Sequence, residues 1–278
     1  MNDLFSLIRI KVSLSIIIST TLGFVYGSVF FNKTYILVIV AVFFISTGCS
    51  VLNQIQEAKI DKLMERTKNR PIAKESLSSF KAFIFAATSI LISLLILFNI
   101  NLKVFILGLF TVIVYNLLYT PLKLKTTYSI LIGAFIGAIP PMIGFFASNS
   151  TFNNIIVNIS TIYYLWQIPH FWLITELYKN DYKKINYPFL NYKINEKQYK
   201  KIFFIWIAAY IVSILHLLII GNINFIIIKI SIYLIISLIS IIYFVYLKNA
   251  KKLFYYHNFS LGFISIMLII DRIISQNF

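Results

Sequence analysis

Apolar runs of about 20 residues recur along the whole sequence, and they constrain its fold more than any other feature. They fall at about 12–31, 34–52, 80–98, 102–120, 128–148, 155–175, 202–220, 223–246 and 256–274. A bilayer core about 30 Å thick is crossed by a helix of roughly 20 apolar residues. The runs therefore predict an all-α, polytopic membrane bundle of about nine transmembrane helices, forming a single domain over residues 1–278.

The composition excludes an ordinary soluble domain. Hydrophobic residues make up 59% of the 278 residues, and charged residues only 12%. The first apolar run follows Arg9 and Lys11 but has no small-residue cleavage site, so we interpret it as the first span and not as a signal peptide. Because Cys49 is the single cysteine, the chain can form neither an internal disulfide nor a cysteine-based metal site.

The basic residues predict the orientation of the bundle. With the N-terminus in the cytoplasm, 21 of the 25 lysines and arginines fall on the cytoplasmic side, as the positive-inside rule requires. Two cytoplasmic loops, at about 53–79 and 176–200, are long and charged, whereas the opposite loops are short. The net charge of +16 therefore indicates a multi-pass protein of the bacterial inner membrane, with its active site at the cytoplasmic face and no nucleic-acid partner.

A first polar motif follows the second apolar run. Asn53, Glu57 and Asp61 are spaced four residues apart, so on a helix they share one face. Carboxylate and amide oxygens are ligands that Mg²⁺ prefers, and the forked donors of Arg66 and Arg70 suit a diphosphate. The alternative is that these are solvated loop charges paired with neighbouring lysines. Spacing alone leaves the two interpretations evenly balanced.

A longer string around this motif decides between them by resemblance. From Asn53 to Pro71 the chain reads NQIQEAKIDKLMERTKNRP, which resembles the first aspartate-rich motif of the UbiA-type prenyltransferase superfamily. The part from Arg66 to Pro71 resembles the protoheme IX farnesyltransferase (haem O synthase) branch in particular. The resemblance implies that Asn53, Glu57 and Asp61 bind the metal. Lys59 stands where the superfamily often has another acidic residue, so we do not expect it to be a ligand.

A second polar motif ends the sixth apolar run. The string WQIPHF at residues 166–171, with Asp181 downstream, resembles the same branch. The resemblance implies that Trp166, Gln167 and His170 contact the haem acceptor and that Asp181 adds a carboxylate to the catalytic and metal-binding set. From composition alone, a histidine beside aromatic residues is more often a hydrogen-bonded core residue. Whether His170 binds a propionate, approaches the iron or orients the vinyl group stays open.

Other polar and small residues lie between and after the motifs. Lysines at the ends of spans are usually interfacial anchors, but the resemblance implies that Lys123 faces the diphosphate; for Lys125 both interpretations have equal weight. Pro140 and Pro141 must break or kink the fifth span. Three further residues, Glu176, His216 and His257, match nothing in the family pattern. We interpret Glu176 as a helix-end charge and expect a packed, neutral side chain at His216.

The resemblance covers residues 9 to 272 and implies a complete reaction. A farnesyl group would pass from farnesyl diphosphate to the vinyl group of protoheme IX (haem b) with addition of water, giving haem O and diphosphate. It also implies Mg²⁺ as cofactor and haem A synthase or terminal oxidase assembly as partners. The alternatives are a UbiA-type enzyme with another aromatic acceptor, such as a quinone precursor, and a transporter. A transporter typically binds its substrate on broken helices near the midplane, whereas the charges here lie at one face.

Overall fold

The computed structural model describes residues 6–28, 31–188, 190, 194–245 and 249–275, and within these ranges the chain forms helices and no strand. The helices are α1 (Ile10–Gly27), α2 (Lys33–Asp61), α3 (Ser79–Ile100), α4 (Leu102–Leu122), α5 (Ser129–Ala147), α6 (Asn154–Leu177), α7 (Lys179–Lys184), α8 (Glu196–Ile220), α9 (Ile226–Val245) and α10 (Ala250–Ile274).

Eight helices of the described part are long and apolar enough to cross a membrane, namely α1 to α5 and α8 to α10. Helix α6 has 24 residues, which is about 36 Å at 1.5 Å per residue, but its polar side chains reduce its apolar character. Each predicted apolar run coincides with a helix, so the predicted all-α membrane bundle is confirmed. The number of crossings and the cytoplasmic N-terminus stay predictions.

The outer surface of the bundle is apolar. Large side chains on α3, α4 and α9 are more than half exposed, among them Phe80, Leu91, Leu117, Ile227 and Leu234. A water-soluble monomer rarely exposes so much contiguous apolar surface, whereas the hydrocarbon of a bilayer favours it. The chain is therefore an integral, multi-pass membrane protein.

The main hydrophobic core holds α6 inside the bundle. Its largest fully buried side chains include Phe24 of α1, Phe145 of α5, Ile159 of α6 and Tyr210 of α8. Helix α6 packs against α8, α10 and the first half of α5. The second polar motif lies near the end of α6, so this packing fixes where the motif faces.

Helix α5 is interrupted as the paired prolines predict. It consists of two helical halves, Ser129–Gly137 and Ile139–Ala147, separated at Ala138. Pro140 and Pro141 have no N–H to donate to the preceding turn, so regular hydrogen bonding cannot continue through this point. The second half then packs closely against α1.

Helix α4 contains a wide turn next to a proline. Its backbone adopts π-helical hydrogen bonding over Ile113–Tyr119. Pro121 lacks an N–H, and its ring crowds the carbonyl four residues earlier. The hydroxyl of Thr120 donates instead to the carbonyl of Tyr115 at 2.9 Å. The helix ends at Leu122, beside the proline at which the sequence predicts its end.

Helix α2 extends well beyond the apolar run that predicts it. The run ends at about residue 52, whereas the helix continues to Asp61. The added turns contain Gln54, Gln56 and Ala58, which are good helix formers. Hydropathy falls here because the side chains are polar, but it does not measure helix propensity. The first polar motif is therefore helical, as its spacing requires.

Candidate active site

The predicted oxygen stripe lies on one face of α2 and is buried. Asn53, Glu57 and Asp61 are 2%, 6% and 3% exposed. The amide of Asn53 donates to the hydroxyl of Thr120 at 3.2 Å, and the Glu57 carboxylate repels that of Asp61. Buried carboxylates require a compensating partner. The alternative from the sequence, that these residues are solvated loop charges, is therefore wrong.

Lys123 provides one such partner. Its ammonium forms an ion pair with the Glu57 carboxylate and lies 5.9 Å from the centre of the Tyr119 ring. Burial lowers the pKa of Lys123, and the Glu57 carboxylate opposes this shift. The pair joins the end of α4 to the stripe on α2, which places a cation beside the predicted metal ligands.

Arg70 provides the second partner. The chain turns back after α2, and the Arg70 guanidinium donates to the Asp61 carboxylate at 2.7 Å. The hydroxyl of Thr67 donates to the Asp61 carbonyl at 3.1 Å. Burial lowers the pKa of Arg70, and the Asp61 carboxylate opposes this shift. The loop is thus folded onto the stripe, and its arginine points into the site.

The second acidic position joins the same loop. Asp181 on α7 is buried, and its carboxylate accepts from the backbone N–H of Arg66 at 2.9 Å. The Arg66 guanidinium lies over the ring of Tyr178, 5.3 Å from its centre, and over that of Tyr182 at 6.0 Å. The two polar motifs, more than a hundred residues apart in sequence, therefore meet in space.

Metal binding by this set stays a prediction. Within the described ranges, no three histidine, cysteine or acidic side chains are grouped so as to hold a metal ion. The donor chemistry nevertheless suits Mg²⁺, because the stripe offers carboxylate and amide oxygens. A cation between Glu57 and Asp61 would also relieve the repulsion of their carboxylates. Asp181 is held by Arg66 and joins the set only as a prediction.

An aromatic wall continues from the polar site towards the second motif. The rings of Tyr119 and Phe171 stack with their centres 6.0 Å apart, and Phe171 contacts the ring of His170 at 6.0 Å. Gly133 makes room for this contact, because a Cβ there would lie 2.7 Å from the Tyr119 ring. Since Lys123 lies over Tyr119, the wall runs without interruption from the cationic site to His170.

The residues predicted to contact the acceptor lie together on α6. The rings of Trp166 and His170 stack at 4.5 Å with an angle of 27° between them. The side-chain oxygen of Gln167 packs against Gly137, where an added Cβ would lie only 2.9 Å from it. The Nδ1 atom of His170 is buried and has no hydrogen-bond partner. An imidazole nitrogen without a protein partner can bind a ligand, and the surrounding flat rings suit a planar one.

The sequence reasoning missed one residue of this region. His257 on α10 is fully buried, and both of its ring nitrogens are hydrogen-bonded. No spacing pattern could reveal it, because its partners belong to α6 and α9.

The expectation of a packed residue at His216 was wrong, since that side chain is exposed, although it bonds Asn158 at 2.8 Å. Glu176 pairs with Lys179 near the end of α6, as a helix-end charge would.

Comparison with known protein families gives the same family that the two polar motifs resemble. The UbiA prenyltransferase family matches the chain over residues 14–265. The chain belongs to this family. A buried cluster of carboxylates and cations beside an apolar interior suits a substrate with a charged head and an apolar tail.

Relatives within the UbiA family extend the comparison. The chain is similar to a protoheme IX farnesyltransferase from Nitratidesulfovibrio vulgaris strain DP4, with 33% identity over 215 residues, 77% of this chain and 75% of the relative. One from Oleidesulfovibrio alaskensis is 30% identical over 275 residues, 98% of this chain and 96% of the relative. The fold is that of a UbiA homologue from Archaeoglobus fulgidus solved with DMAPP and Mg²⁺, with a TM-score of 0.73, 17% identity and 97% coverage of both chains.

Replacement of Lys123 tests whether this UbiA-family site binds a diphosphate. Because charge-assisted hydrogen bonds contribute about 1.5–3 kcal/mol, Lys123→Gln is expected to lower kcat/KM for the prenyl diphosphate by roughly 10–100-fold. The matched control is Lys125→Gln, which changes an exposed lysine of the same loop and should leave kcat/KM within about twofold. Equal effects of the two substitutions would contradict a specific role for Lys123.

Proposed function

We propose that this chain transfers the farnesyl group of farnesyl diphosphate to a vinyl group of haem b, with addition of water, to give haem O and diphosphate. The observation that carries the proposal is the continuous wall from the Lys123–Glu57 pair through Tyr119 and Phe171 to His170. A diphosphate at one end and a planar acceptor at the other would meet along it. The names of the relatives support this pair of substrates.

The cationic side chains would bind and stabilise the diphosphate. Arg70 and Lys123 neutralise buried carboxylates in the structure, and both would turn to phosphate oxygens when the substrate enters. Arg66, held over two tyrosine rings, lies at the same loop. Forked guanidinium donors match phosphate geometry, and charge that develops on the leaving group is stabilised by donors already in place.

The acidic stripe would hold Mg²⁺ through Asn53, Glu57 and Asp61, with Asp181 as the fourth residue. The bound ion would supply charge neutralisation to the diphosphate. With their charge neutralised, Glu57 and Asp61 would release their cationic partners, Lys123 and Arg70, to the substrate. Solved UbiA-fold neighbours with Mg²⁺ support this assignment at the level of the fold.

The bond changes balance with water as the only additional reactant. The C–O bond between farnesyl C1 and the diphosphate breaks, and its electron pair leaves with the diphosphate. The terminal vinyl carbon supplies the pair for the new C–C bond, and water adds to the inner vinyl carbon and loses a proton. Phe171 and Tyr119 line this region with aromatic surface, which excludes water until the C–C bond has formed.

Trp166, Gln167 and His170 would bind the haem acceptor. The stacked side chains of Trp166 and His170 are only partly buried and would contact the edge of a planar macrocycle, and Gln167 adds a polar group beside them. We place the site at the cytoplasmic face of the inner membrane, with the whole chain as one domain. Haem A synthase or terminal oxidase assembly would receive the product.

A competition experiment tests the choice of acceptor. Purified protein in detergent is incubated with farnesyl diphosphate, Mg²⁺ and equal concentrations of haem b and an aromatic quinone precursor, and the prenylated products are separated and identified by mass. We expect haem O as the main product. Prenylation of the quinone precursor alone would contradict the haem acceptor while retaining the prenyltransferase chemistry.

A further inference from the structure

A fully buried histidine outside the polar motifs links three helices behind the proposed acceptor surface. His257 of α10 bonds the hydroxyl of Tyr243 on α9 through Nδ1 at 2.6 Å, and the backbone carbonyl of Trp166 on α6 through Nε2 at 2.8 Å. The indole N–H of Trp166 donates in return to the carbonyl of His257 at 2.9 Å. This reciprocal pair of hydrogen bonds fixes one turn of α6 to α10.

The partners determine the tautomer of His257. A backbone carbonyl can only accept a hydrogen bond, so Nε2 must carry the proton that it donates to Trp166. In the neutral ring Nδ1 is then an acceptor, and the hydroxyl of Tyr243 must be its donor. Since the imidazole is fully buried and both nitrogens are satisfied, it acts as a directional link between the helices and has no free nitrogen for a ligand.

The link acts at a weakened turn of α6. Pro169 lies inside this helix, three residues after Trp166, and the missing N–H and bulky ring of a proline loosen the turn before it. The Trp166 ring stacks against two histidines, with its centre 5.3 Å from that of His257 and 4.5 Å from that of His170. The position of His170 therefore depends on Trp166, which in turn depends on His257.

We propose that His257, oriented by Tyr243, is a positioning residue that holds the Trp166–His170 surface in the geometry that binds the acceptor. The inference rests on the proposed function, because it takes this surface to be the haem-binding part of the site. Both ring nitrogens of His257 are bonded within the protein, so it would act on the acceptor through Trp166 and not by direct contact. Its loss should weaken haem b binding and leave the diphosphate site unchanged, since none of the described contacts of Lys123, Arg70 or Asp61 involves it.

The test measures binding of the two substrates separately. Haem b is titrated into the purified full chain without farnesyl diphosphate and followed by its absorption spectrum, and KM for farnesyl diphosphate is measured independently. His257→Phe keeps an aromatic ring but removes both hydrogen bonds, and should raise the Kd for haem b at least tenfold while KM for farnesyl diphosphate stays within about twofold. His257→Gln, which can still donate to the Trp166 carbonyl, should recover most of the haem affinity.

Two further variants keep the test decisive. Tyr243→Phe removes only the donor to Nδ1 and should raise the Kd for haem b about two- to fivefold, even if His257→Phe folds poorly. Tyr233→Phe, the same change at an exposed tyrosine of α9, should leave both measurements unchanged. Unaltered haem affinity in both His257→Phe and Tyr243→Phe, or equal losses for both substrates, would overturn the inference. Failure of the unmodified protein to bind haem b would instead overturn the proposed function and the inference with it.

Discussion

Replacing Asp61 with asparagine is expected to lower kcat/KM for prenyl transfer by about 10²–10³-fold and to weaken its dependence on Mg²⁺. Asp61 is 3% exposed and ends the oxygen stripe on α2. The substitution keeps its shape and removes the negative charge that would bind the metal. Steady-state rates measured over a range of Mg²⁺ concentrations check this result.

The same substitution also leaves the Arg70 guanidinium without the carboxylate that it contacts at 2.7 Å. Breaking one side of a buried ion pair costs about 3–5 kcal/mol of stability. The double variant Asp61→Asn with Arg70→Met should therefore recover folded protein but not activity. Glu75→Gln, which removes an exposed ion pair with Lys62, is the matched control and should have little effect. Wild-type rates and metal dependence in Asp61→Asn would exclude Asp61 as a ligand.

Replacing Gly144 with alanine is expected to prevent close packing of α1 against α5. A Cβ at this position would lie 1.9 Å from the backbone carbonyl oxygen of Thr20, so the backbones of the two helices must separate. Overpacking of a core typically lowers stability by about 1–3 kcal/mol. Because this clash is with backbone atoms, we expect a loss of about 3 kcal/mol or more. The yield of monodisperse protein and its thermal midpoint in detergent check this prediction.

Gly262 supplies the matched control for the packing prediction. A Cβ added there would meet nothing within 4 Å. Because alanine is a better helix former than glycine by about 1 kcal/mol, Gly262→Ala on α10 should be neutral or slightly stabilising. Similar thermal midpoints for Gly144→Ala and Gly262→Ala would contradict the close α1–α5 contact.

Much of the fold follows from local physics that is visible in the sequence. A run of apolar residues long enough to span a bilayer predicts a helix wherever it lies, and two prolines at 140–141 predict the break that the structure places at Ala138. The end of α2 could not be predicted in this way. Its polar last turns are stabilised by burial against α4 and the following loop, which is a property of the tertiary structure.

The candidate site could be predicted from the residues alone only where its members lie close together in the sequence. The spacing of Asn53, Glu57 and Asp61 predicts a shared helix face, and the cationic partner of Asp61 comes from the same motif. The Lys123–Glu57 pair and the hydrogen bond from Arg66 to Asp181 join distant segments, so only the resemblance to a family could indicate them. His257 was missed because its role depends wholly on contacts between helices.

The measurement that tests the central claim most directly is conversion of haem b by the purified, detergent-solubilised protein with farnesyl diphosphate. The extracted haem is analysed by mass spectrometry after incubation with Mg²⁺, or with a chelator in place of Mg²⁺. We predict a haem O peak that forms with Mg²⁺ and is lost with the chelator. Folded protein that binds both substrates but forms no haem O in the presence of Mg²⁺ would contradict the account.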